Sequence, residues 1–82
     1  MNYKKRQAIL LKKLWDQMVV GEAFTATIAS EYLGSSNGLA QTIILYCLKH
    51  NMLPGVKVIV DKVNNHNSKV YIKTNEVSNY EF

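Results

Sequence analysis

An α+β fold, three helices followed by a β-hairpin, is predicted by three observations. Apolar residues recur at helical spacing from about Asn2 to Val20, from Thr25 to Leu33 and from Ser36 to about His50. Pro54-Gly55 then forbids further helix, because proline lacks an N–H and clashes with the preceding turn. Beyond it, two β-branched runs, Val56 to Val63 and Lys69 to Lys73, flank the polar turn cluster Asn64 to Ser68. At 82 residues the chain is of single-domain size, and such a chain buries only about 60–65% of its unfolded surface. The domain is expected over residues 1–74, and the polar, mildly acidic stretch 75–82 is expected to be a frayed tail.

In the first helix Tyr3, Leu10, Leu11, Leu14 and Met18 form the expected apolar stripe. Lys4, Lys5, Arg6, Lys12 and Lys13 occupy much of the remaining surface. Solvation is the ordinary fate of such residues; the alternative is that the basic N-terminal end, with Lys5 and Arg6, meets a phosphate backbone as homeodomain arms do. Trp15 flanks the stripe as a core or dimer anchor. Gly21 is expected to stop the helix. Ala23-Phe24 is expected to add a third strand to the hairpin, with Phe24 plugging the core between the helices.

The chain is organised around Thr25 to Leu53. Ile28, Ala29, Tyr32 and Leu33 share one face of a short helix. Thr25 or Thr27 can cap its start, and Gly34 follows it where a helix commonly ends in a left-handed residue. Ser35, Ser36 and Asn37 are N-cap candidates for the next helix. Two helices joined by three or four residues that include a glycine make a helix-turn-helix. In the second of them Leu39, Ala40, Ile43, Ile44, Cys47 and Leu48 form a wide buried stripe, which Leu45 and Tyr46 broaden. Asn37, Gly38, Gln41, Thr42 and Lys49 are left on the polar face. Cys47 reads as a small apolar core residue, and His50 ends the helix where a cation would suit the dipole.

FTATIASEYLGSSNGLAQTIILYCLKHNML resembles the core of winged helix-turn-helix DNA-binding domains. The matching positions are Thr25 opening the first helix, Ala29 within it, the turn Leu33-Gly34-Ser35, the second helix from Ser36 to Asn51, and the apolar exit Met52-Leu53. The resemblance implies a winged helix-turn-helix fold whose hairpin is the wing and whose helix 36–50 lies in the major groove of double-stranded DNA. Asn37, Gln41 and Thr42 would then face base edges from the N-terminal half of that helix, with Lys49 further along it. Asn and Gln can each bond adenine bidentately. Ser35 and Ser36, with free backbone N–H groups beside them, would anchor a phosphate. The competing reading makes Asn37 and Gln41 ordinary surface residues.

In the hairpin Val58, Val60, Val70 and Ile72 are expected to face inward. Lys62 and Lys69 flank the tip, and Asn65 and His66, with Asn64 and Asn67, are small and polar enough for a minor groove. Turns are polar for conformational reasons too, which is the plainer account of this cluster.

The net charge of +4 and pI near 9.3 favour an anionic partner. All ten Lys and Arg precede residue 74, while Glu76 and Glu81 lie in the tail, so the body sets ten cations against four acids. Those acids (Asp16, Glu22, Glu31, Asp61) are scattered over separate elements. No nucleophile–base pair, glycine-rich phosphate loop or Cys/His zinc spacing appears, so neither an enzyme nor a cofactor is expected. The lone Cys47 has no internal disulfide partner. No apolar run approaches the roughly 18 residues of a membrane span, and a cytoplasmic location is expected. Frequent Lys and Asn beside a single arginine, Arg6, fit an AT-rich genome such as that of a phage or plasmid. The expected function is a small sequence-specific double-stranded DNA-binding transcriptional regulator, its affinity supplied by a homodimer on a two-fold site or by a partner protein. The rival is an adaptor using the same fold to bind a host protein, which the apolar residues Trp15, Leu45, Tyr46, Tyr80 and Phe82 would suit.

Overall fold

The computed structural model describes residues 2–63 and 66–75, with backbone alone at 63, 66 and 67. The elements run α1 (Tyr3–Gln17), β1 (Ala23–Phe24), α2 (Ala26–Leu33), α3 (Asn37–Lys49), β2 (Val56–Val63) and β3 (His66–Lys73). Three helices pack with a three-stranded antiparallel sheet of order β1-β3-β2, which is an α+β architecture. The third strand expected at Ala23-Phe24 is present and pairs with Ile72 and Tyr71. The expected turn cluster at 64–68 is shorter. The ladder runs from Val56↔Lys73 to Val63↔His66, so His66, Asn67 and Ser68 are strand residues. Ladder hydrogen bonds belong to the backbone, and polar side chains do not prevent them.

Each helix begins at a residue that satisfies its free N–H groups. Asn2 accepts from the Lys5 N–H at 2.7 Å, Thr25 from Ile28 at 3.4 Å and Ser36 from Leu39 at 3.2 Å. Gly34 ends α2 at φ 67° and ψ 38°, a left-handed conformation that costs a residue without Cβ little. Gly21, by contrast, does not stop α1. The helix ends at Gln17 with Met18 extended, and the Glu22 carboxylate accepts from the Val19 N–H at 2.7 Å. Gly21 (φ 98°) instead turns the chain into β1, donating its N–H to Lys73 O at 2.8 Å.

The core also corrects the phase of α1. Leu11 and Trp15 are buried with Ala8 and Gln7, and Leu14 and Met18 pack partly against them. Tyr3 and Leu10, expected in the stripe, are exposed. The reason is Trp15, which is 1% exposed and whose large ring repays burial more than Leu10 does. Its indole N–H donates to Pro54 O at 2.9 Å. Its ring meets Phe24 edge-on at 5.9 Å, and Phe24 stacks on Tyr71 at 5.2 Å. In α2, Ala29, Ser30 and Leu33 face the core while Ile28 and Tyr32 are exposed, again against expectation. Ser30 tolerates burial because its hydroxyl donates to Thr27 O at 2.7 Å.

The sheet's inner face differs from expectation as well. Tyr71 is the buried residue of β3, paired across from Val58. Side chains alternate along a strand, so Val56, Val58, Val60 and Lys62 share a face with Lys69, Tyr71 and Lys73. Val70 and Ile72 therefore lie on the outer face with Ile59. Val60 has the expected side but is 62% exposed, beyond the reach of the helices.

Lys73 ends this inner row. Its ammonium donates to Trp15 O and Met18 O, each at 2.7 Å, and lies 5.7 Å from the Trp15 ring centre. A cation thus satisfies carbonyls at the C-terminus of α1, where the helix dipole is negative. Lys73→Met is expected to destabilise the fold by about 2 kcal/mol through loss of these charge-assisted bonds, read as a lower urea midpoint. The buried Gln7 presents the opposite case, because its Oε1 has no hydrogen-bond partner among the described residues. Gln7→Met is expected to raise the midpoint, by about 1 kcal/mol of stability, since it removes an unsatisfied polar atom while keeping the volume.

Candidate nucleic-acid interface

The turn between α2 and α3 is held by its own polar groups. Ser35 donates its N–H to Ser30 O at 2.9 Å and its hydroxyl to Ser36 O at 3.2 Å. The Ser36 hydroxyl caps α3. Both hydroxyls expected to meet a phosphate are thus engaged inside the turn, and the Ser35 N–H is not free. What remains is the first turn of α3, whose N–H groups at Asn37 and Gly38 have no acceptor within the helix. Asn37 is exposed and donates its side-chain amide to Thr27 Oγ1 at 3.4 Å, which ties the start of α3 to the first turn of α2.

Ala40, Ile43, Ile44, Cys47 and Leu48 anchor α3 in the core, and Leu39 is half-buried beside them. The opposite face is a ridge of exposed residues, Asn37, Gly38, Gln41, Thr42, Leu45 and Lys49. Gln41 makes no hydrogen bond among the described residues, so its amide is free to bond a partner. Thr42, also exposed, differs, because its hydroxyl donates back to Gly38 O at 3.2 Å. Leu45, 43% exposed, stands in the middle of the ridge.

A hollow flanks the ridge on each side. One, of about 160 Å³, is lined by Ala26, Gln41, Leu45, Lys69 and Tyr71. Lys69 of the hairpin and Gln41 of α3 thus border one hollow, and Lys62 lies on the same face of the sheet further toward the tip. The other is an open groove of about 820 Å³ between α3 and the start of α1, whose walls include Tyr3, Lys4, Leu39, Tyr46 and Lys49. His50 also borders it, its ring 4.2 Å from that of Tyr46. Among the described residues no acid lines either hollow. Lys4, Lys49, Lys62 and Lys69 have no carboxylate partner among the described residues, where Lys12–Asp16 is the ion pair formed.

Of the α1 cations it is Lys4, not Lys5 or Arg6, that reaches the groove. Lys5 and Arg6 are exposed but turned about 100° and 200° further round the helix. Asn65 and the side chain of His66 lie outside the described residues, as does the tail from Glu76. Leu45, expected to broaden the buried stripe, stands exposed on the ridge instead, because Ala40, Ile43, Ile44, Cys47 and Leu48 fill the core contacts of α3. Nothing in the run of like cations at the start of α1 singles out Lys4.

Cys47 is fully buried, its Sγ 3.6 Å from Ala8 O. Burial pushes its thiol up from 9.0 to about 12. No group of three or more potential metal ligands occurs among the described residues, and none of their helices is long and apolar enough to cross a membrane. No family model, curated protein or solved structure matches the chain.

The raised Cys47 pKa sets a direction for stability. The native state holds the proton through the range in which the unfolded thiol loses it, so stability is full below pH 9 and falls between pH 9 and about 12. Urea unfolding at pH 8 and pH 10.5 is expected to show this loss, and Cys47→Ala is expected to lessen it.

Proposed function

We propose that the protein binds double-stranded DNA sequence-specifically as a small transcriptional regulator, in a winged helix-turn-helix arrangement. α2 and α3 form the helix-turn-helix, and β2–β3 is the wing. α3 enters the major groove, Gln41 bonds a base edge, and Lys62 and Lys69 neutralise phosphates beside it. The observation that carries this reading is the meeting of Gln41 and Lys69 at one hollow where, among the described residues, the Gln41 amide has no hydrogen bond, Lys69 has no ion pair and no acid forms part of the lining. Phosphate contacts hold a protein on any duplex, and base contacts decide where it stays. Lys4 and Lys49 add charge on the other flank, and the open first turn of α3 suits a phosphate. A module of this size has a small footprint, and two copies on a two-fold site supply the affinity that one lacks.

The 820 Å³ groove supports a second reading, an adaptor that docks a partner protein. Tyr3, Leu39, Leu45 and Tyr46 give it apolar walls that nucleic acid binding does not require.

Fluorescence anisotropy with varied duplexes across a salt series tests the first reading. Gln41→Ala is expected to cost about tenfold on the preferred duplex and little on others. Lys62→Ala and Lys69→Ala are expected to weaken all duplexes alike and lower the salt slope by about 0.9 each. Absence of binding in dilute buffer overturns the proposal in favour of the adaptor.

A further inference from the structure

We propose that the ridge of α3 is built to read thymine methyl groups, with Leu45 and the Thr42 methyl as the contacts, so that the preferred duplex is A·T-rich. The inference rests on the DNA-binding reading and adds to it the class of sequence recognised and a residue that determines it.

Base pairs in the major groove differ in the groups they present, and each is read by a different side-chain chemistry. Guanine is read by Arg or Lys, cytosine by an acid accepting from its amino group, adenine by Asn or Gln, and thymine by apolar contact with its methyl. Between Asn37 and Leu45 the ridge holds no Arg, Lys, Asp or Glu. Lys49 follows at the far end of the helix, about 18 Å along it from Asn37 and one turn beyond Leu45. The guanine and cytosine readers are therefore missing from the central ridge. Those for adenine and thymine are present and adjacent. Gln41 and Leu45 lie one turn apart on the same hollow, so an amide and an apolar group meet neighbouring bases. Thr42 joins the second type because its hydroxyl is held by Gly38 O. An exposed leucine amid polar neighbours, which has no role in the core, thereby acquires a ligand.

The test uses the full chain and three duplexes of one length: G·C-rich, A·T-rich, and the A·T-rich sequence with every thymine replaced by uracil, which lacks only the methyl. Binding is measured by anisotropy at low and moderate salt. The A·T-rich duplex is expected to bind at least tenfold more tightly than the G·C-rich one. Uracil replacement is expected to weaken binding about fourfold for each methyl contacted. Leu45→Ala, at an exposed position, should lose about fourfold of the preference for thymine over uracil, and Leu45→Ala combined with Thr42→Ser should bind the two duplexes with nearly equal affinity, which separates methyl contact from any change in duplex shape. Equal affinity of the unsubstituted protein for thymine and uracil duplexes overturns the inference while leaving DNA binding intact, as does a preference for the G·C-rich duplex. If none of the three binds even at low salt, the underlying function falls with it.

Discussion

Trp15 is the residue on which the arrangement of the helices against the sheet depends. Its indole N–H bonds the Pro54 carbonyl, its own carbonyl receives Lys73, and its ring edge meets Phe24. One side chain and its backbone thus join the end of α1 to the loop before β2, to β1 and to β3. Phe24 extends the link by stacking on Tyr71. Tyr71 in turn borders the hollow that Gln41 and Lys69 share. The position of the hairpin lysines relative to α3 is therefore fixed by the aromatic chain beneath them.

On the other side, α3 sits close to its neighbours because the contact residues are small. Ala8, Ala29, Ala40 and Cys47 are all fully buried. The Cys47 sulfur touches the Ala8 carbonyl directly. A larger side chain at any of these points would have to push a helix outward, and interiors at crystal-like packing density have little room for that. The same seclusion makes the thiol a packing atom rather than a nucleophile, since the thiolate is the reactive form and burial opposes it.

Local chemistry was legible in the sequence, and the phase of the faces was less so. Thr25, Gly34 and Ser36 mark helix ends through bonds within three residues, which need no tertiary context. Phe24 was placed correctly because it is a large apolar residue in a short extended segment. β2 was ambiguous for a physical reason: Val56, Val58, Ile59 and Val60 put apolar groups on both faces, so alternation alone does not choose. Tyr71 decided the face through its stack on Phe24, a contact between residues far apart in the chain. Lys73 was equally hidden, since nothing local distinguishes a lysine that caps a distant helix from one in solvent. At the candidate interface the polar ridge was legible from helical periodicity. Its pairing with Lys69 needed the sheet.

The proposed interface separates charge from recognition. The stretch of the ridge from Asn37 to Leu45 carries no cation, so it would hold no strong affinity for duplex DNA in general, because non-specific binding is almost wholly phosphate neutralisation. Had the lysines lain within that stretch, every duplex would be bound nearly as well as the right one there. In the proposed interface, Lys62 and Lys69 on the hairpin and Lys4 on α1 would leave the helix to discriminate by amide and methyl contacts, which are short-ranged and lost when the bases are wrong. The arrangement has a structural consequence. The cations act on the ridge only while the hairpin keeps its angle to α3, and that angle is held by Trp15, Phe24, Tyr71 and Lys73. A change in that cluster would move the phosphate contacts relative to the base contacts without touching either, so affinity and discrimination would fail together even in a chain that remains folded.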